Sequence, residues 1–127
     1  MDKYERFLET LIAQTESGEL EWTVASVGLY QEHIYNWPLA YQCYSSVFVK
    51  EGDSHTLVLV GKKLSNTVNT DNYIDEQHSQ ELLIIDHGRL IFTVNDNYVS
   101  ESELQNLFQL VEQLNMEASS FFSSFED

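Results

Sequence analysis

Tyr4, Phe7, Leu8, Leu11 and Ile12 recur at the three-and-four spacing of one helical face. Asp2 stands where an N-cap belongs, Glu5 completes a box-like start, and Gly18 is placed to end the helix in the left-handed conformation. From Leu20 the pattern changes. Residues 21–25 predict a short strand, which Val27 to Tyr30 prolong past Gly28. Residues 31–39 hold the single proline, Pro38, and read as an irregular connection rich in aromatics. Residues 40–50 alternate as a strand, with Tyr41, Cys43, Val47 and Val49 on one side and Tyr44 and Phe48 on the other. A turn at Glu51-Gly52-Asp53-Ser54 and a return strand over residues 55–61, centred on Leu57 to Val60, make this a hairpin.

Residues 62–79 form the longest polar stretch and predict an extended loop. A strand centred on Leu82 to Ile85 follows, turned by Asp86-His87-Gly88 into a partner strand over residues 89–94. Ser100 and Glu103 have capping-box spacing ahead of a stripe of Leu104, Leu107, Phe108, Val111, Leu114 and Ala118, which Phe121 and Phe125 extend. The order is helix, about five strands, helix. It predicts a single α+β domain over residues 1–127: a two-layer sandwich whose antiparallel meander sheet carries the N- and C-terminal helices side by side on one face. The other sheet face is expected to be half-solvated. The expected core is Phe7, Leu11, Leu57, Leu59, Leu83, Ile85, Ile91, Leu107 and Val111.

Charge sharpens the picture. The 127 residues include 21 Asp and Glu against 6 Lys and Arg, a net charge of −15, and no basic residue follows Arg89. An apolar fraction of 43% with 13% aromatics is too rich for a disordered acidic tail, so this is a folded acidic surface. It should repel nucleic acid and anionic membranes and attract basic proteins. No apolar run approaches the roughly 18 residues of a membrane span, and the start of the chain lacks the pattern of a secretory signal. Cys43 has no cysteine to pair with and reads as a small buried strand residue. The expected location is cytoplasmic.

The chemistry-bearing residues form no recognised constellation. Of the four histidines, only His78, between Asp75 and Glu81, has neighbours with ligand potential, and three polar residues in a polar loop need no metal. No serine sits in a Gly-x-Ser-x-Gly elbow, Asp86 and His87 are expected to point apart, and no glycine-rich loop cradles phosphate. No enzyme, cofactor or metal is expected. The aromatics Tyr30, Tyr35, Trp37, Tyr41 and Tyr44 read first as sheet packing with Trp37-Pro38 stapling the connection down, and second as a surface for a partner.

A helix followed by Thr15-Glu-Ser-Gly18-Glu-Leu20-Glu-Trp22 and then short strands resembles a pattern in small acidic α+β bacterial and prophage proteins. Some of these act as toxin-immunity proteins or phage counter-defence factors. Physically, Thr15, Gly18, Leu20 and Trp22 read as a helix stop with an anchoring tryptophan, and the resemblance transfers no functional residue. Together with the charge, it implies a small binding protein that neutralises or regulates a basic partner, as an immunity protein or inhibitor does. The candidate partner-binding residues are Glu32, Tyr35, Asp71, Tyr73, Asp75 and Glu76: acids around a few aromatic anchors. The phenylalanine-rich end adds an expected contact between two copies through the C-terminal helix. The alternatives are a DNA mimic of the counter-defence type and a small-ligand binder using the aromatic segment 30–44.

Overall fold

The computed structural model describes residues 2–65 and 76–126. Helix α1 (Lys3–Ser17) leads into β1 (Thr23–Ala25), then β2 (Ala40–Lys50), β3 (Asp53–Ser65), β4 (Glu76–Asp86), β5 (Arg89–Val94) and helix α2 (Glu101–Ser123). The five strands lie in chain order, every neighbouring pair antiparallel. This is the expected α+β meander, with both helices packed together and on the sheet.

Local chemistry sets the boundaries. The Asp2 carboxylate accepts from the Glu5 amide at 2.9 Å, and Ser100 Oγ accepts from that of Glu103 at 3.3 Å. Gly18 closes α1 at φ 84°, and Trp22 Nε1 donates to Thr15 Oγ1 at 2.9 Å, the helix stop and anchor read from the sequence. The β2–β3 and β4–β5 hairpins turn through two residues of positive φ, Glu51-Gly52 and His87-Gly88, the geometry that matches the twist of the flanking strands. β3 and β4 pair with each other further than expected, to Ser65 and from Glu76, into the stretch read as loop.

The central strands are buried on both sides. Leu57, Leu59 and Leu82 meet Leu8, Leu11, Leu104, Leu107, Phe108 and Val111 beneath the helices. Cys43, Val58, Val60, Leu83 and Ile85 face the opposite way. That second face is covered only in part: residues 26–39 fold across it as three 3-10 turns and press Ile34 into its centre, while Val47 and Val49, toward the β2–β3 turn, stay 59% and 64% exposed. Val27 to Tyr30 accordingly belong to this cover and do not prolong β1. Leu83 and Ile85 are core residues of the second cluster, Phe7 is half-buried, and Ile91 is 45% exposed at the β4–β5 irregularity instead of buried.

The two helices run the same way. The Tyr4 ring in the first turn of α1 lies 4.9 Å from that of Tyr98, just before α2, while Thr15–Gly18 share a groove with Val111, Leu114, Asn115 and Ala118. α2 is the longer by eight residues, so its end overhangs. Phe121 and Phe125, expected to continue the core stripe, are 59% and 72% exposed.

One close approach fixes α2 on the sheet. A β-bulge between Ala40 and Gln42 turns Tyr41 out of the alternation to the helix side, where its ring meets Phe108 and His78. A Cβ on Gly61 would lie 2.7 Å from the Phe108 ring, so only glycine admits this packing. Gly61→Ala is therefore expected to cost about 1–3 kcal/mol in urea unfolding. Adding Phe108→Leu should recover part of that loss, since the smaller side chain vacates the contact.

Candidate functional site

On the second face, β3 presents Val58, Val60 and Lys62 in alternation, and β4 presents Glu81 opposite Val60. Lys62 Nζ lies 2.8 Å from Glu81 Oε1, with the two side chains only 5% and 15% exposed. The ammonium also donates to the Tyr35 carbonyl oxygen and sits 5.7 Å from the centre of the Tyr35 ring. A charge pair taken out of water is tolerated only when its remaining hydrogen-bonding capacity is met, and here a carboxylate, a carbonyl and an aromatic face supply it. The pair ties the connection over residues 26–39 to the sheet.

That connection is a strap. Its 3-10 turns are Val27–Leu29, Gln31–His33 and Trp37–Leu39, tied by backbone hydrogen bonds in which the His33 amide donates to the Tyr30 carbonyl and the Leu39 amide to that of Asn36, both 2.9 Å. Asn36 takes the left-handed conformation at φ 54°, and Pro38 pre-sets the third turn. With Ile34 buried and the Tyr35 carbonyl held by Lys62, the outward side carries Leu29, Tyr35 and Trp37, 67%, 78% and 46% exposed, beside exposed Glu32. An exposed aromatic surface of this kind suits protein recognition, because Tyr and Trp offer large contact area for few rotatable bonds.

Glu32 and Tyr35, expected as partner contacts in the aromatic connection, both lie on the strap with exposed side chains. Asp71, Tyr73 and Asp75 lie outside the described residues. Glu76 opens β4 instead of lying in a loop, and its side chain is likewise outside the description. The last register pair, Ser65 with Glu76, stands three residues along the strand from Lys62, about 10 Å. Lys62 and Glu81 were missed because Lys62-Lys63 looked like the start of a polar loop. The signal was present in the alternation of Val58, Val60 and Lys62.

The other chemistry-bearing groups among the described residues do not converge on a common site. His78 faces the helix side with Tyr41 while Glu81 faces the strap, so that pair cannot share an ion. No group of three or more His, Cys, Asp or Glu gathers to hold a metal among the described residues. His87 Nδ1 lies 2.9 Å from Asp86 Oδ1, contrary to the expectation that the turn separates them, but its side chain is 92% exposed. Burial pushes the Cys43 thiol from its ordinary 9.0 up to about 11. Tyr41 and Tyr44 are raised by burial first and by the Glu112 charge second. No helix of the described residues is long and apolar enough to cross a membrane.

Glu81→Leu should leave a buried unpaired ammonium and cost roughly 3–5 kcal/mol. Adding Lys62→Met should restore most of that stability, read as urea midpoints of the single and double variants. Cys43 makes a second expectation. The folded state holds its thiol proton more tightly than the unfolded chain, so stability falls as pH rises from about 9 to about 11. The slope over that window should flatten in Cys43→Ala, and the native thiol should react slowly with a disulfide reagent at neutral pH.

Comparison of the chain with protein-family models, with curated proteins and with solved structures finds no match.

Proposed function

We propose that this protein binds a basic protein partner and neutralises or regulates it, in the manner of an immunity protein or inhibitor acting in the cytoplasm. The observation that carries the reading is the strap: exposed Tyr35, Trp37 and Leu29 beside Glu32, fixed by the buried Lys62–Glu81 pair, on a chain of net charge −15. The charge supplies long-range steering and the aromatics supply short-range hold. A partner with a basic surface around an apolar recess is the natural complement. Asp71, Tyr73, Asp75 and Glu76 remain candidate partner contacts in this reading.

Two alternatives fit less well. A DNA mimic needs carboxylates in a regular row, whereas acids occur on both helices, on the strap and at the hairpin turns. A ligand pocket beneath residues 30–44 would need space where Ile34, Cys43, Val58 and Val60 are packed. Nucleic acid and membrane are not proposed as partners.

The test uses the immobilised chain as bait for basic proteins from a bacterial extract, followed by association kinetics with whatever is retained. Wild type should retain a basic protein whose association slows as salt rises. Tyr35→Ala and Trp37→Ala should speed its dissociation by about tenfold or more. Glu32→Gln should act on association alone. Binding that ignores salt and both aromatic substitutions would remove this reading.

A further inference from the structure

Three of the six lysines and arginines, Lys3, Arg6 and Lys50, line one groove. With Lys62 held by Glu81, that is a marked concentration of positive charge on an otherwise acidic body. The groove follows the flank of α1 marked by Lys3, Phe7, Thr10 and Gln14, across strand ends that α2 leaves uncovered. It encloses about 750 Å³, its floor is apolar through Phe7, Phe48, Ile84 and Ile91, and Glu51 is the single acid among its walls. A groove with an apolar floor and a cationic rim fits an acidic, aromatic segment.

The chain carries such a segment at its other corner. Phe121, Phe122 and Phe125 are 59%, 67% and 72% exposed, and their rings pack on one another at 5.2 and 5.3 Å as a preformed knob. Glu117 and Glu126 flank them, and no basic residue stands in the last turn of α2, so the negative end of the helix dipole is unopposed. The knob points away from its own groove. The helices run in parallel, and from Arg6 to Thr15 alone α1 spans about 14 Å before the overhang continues in the same direction.

We infer that the aromatic end of α2 docks into the Lys3–Arg6–Lys50 groove of a second copy, and reciprocally, forming a two-fold dimer. Two identical contacts satisfy an isologous arrangement. Three rings with about two-thirds of their surface free offer on the order of 400 Å², the groove gives up about half as much, and two such contacts bury about 1,200 Å². That is the size of a stable interface. The contact is independent of the strap, so Tyr35→Ala should leave the dimer unchanged.

Light scattering on the eluted protein, repeated over a wide concentration range, reads the result. Wild type should run at twice the 14.7 kDa chain mass. Two variants, F121S/F122S/F125S and R6E/K50E, should each run as monomers with unchanged circular dichroism, their dissociation constants raised about a hundredfold or more. Mixed in equal amounts, the two should associate 1:1 through the one contact left intact, more weakly than wild type and more tightly than either variant alone. A monomeric wild type would overturn the inference. So would a dimeric R6E/K50E, which would mean that α2 pairs with α2, and so would a mixture that associates no more than either variant alone.

Discussion

Strands β3 and β4 are apolar on both faces, and the rest of the chain is arranged to cover them. Leu57, Val58, Leu59, Val60, Leu82 and Leu83 have no exposure at all, which no two-layer arrangement of sheet and helices would give alone. The helices cover one side. The other side falls to a segment without regular secondary structure long enough to form a layer, and this is why residues 26–39 contain buried Ile34 and half-buried Val27 and Tyr30 between polar residues. A cover made of 3-10 turns has few hydrogen bonds of its own. It needs a fastening, and the Lys62–Glu81 pair supplies one at the Tyr35 carbonyl.

Much of this was legible in the sequence, and the gaps have physical causes. Helical stripes, caps and both hairpin turns are local signals, and Asp2, Gly18, Ser100, Gly52 and Gly88 act where they were read. The unbroken apolar runs at Leu57 to Val60 and Leu82 to Ile85 already implied burial on two faces, but nothing local says what the second cover is. Residues 26–39 lack a period because 3-10 turns are too short to show one. Tyr41 escaped the alternation because a bulge adds a residue that only strand pairing reveals. Phe121 and Phe125 kept helical spacing after the sheet beneath them had ended, and a periodic pattern does not show where its support stops.

The same distribution separates recognition from architecture. Lys62 is used internally, Lys3, Arg6 and Lys50 gather on one flank, and every charged side chain after Arg89 is acidic. The protein is therefore polarised as well as acidic. A polarised body presents different faces to different partners, so a strap with aromatic anchors and a cationic groove can coexist on 127 residues without competing for the same ligand.

The parallel helices have a consequence for how the chain comes to be folded. Leu8 and Leu11 belong to the same cluster as Leu104, Leu107 and Val111, roughly a hundred residues downstream. During synthesis at about 5–20 residues per second, α1 emerges some 5–20 s before α2 and has no finished surface to lie on. The hairpins β2–β3 and β4–β5, closed by two-residue turns, can form meanwhile from near neighbours in the chain. α1 is thus sealed on its α2 side only after the sheet is made, and for that interval its apolar stripe is open to any helix-binding chaperone.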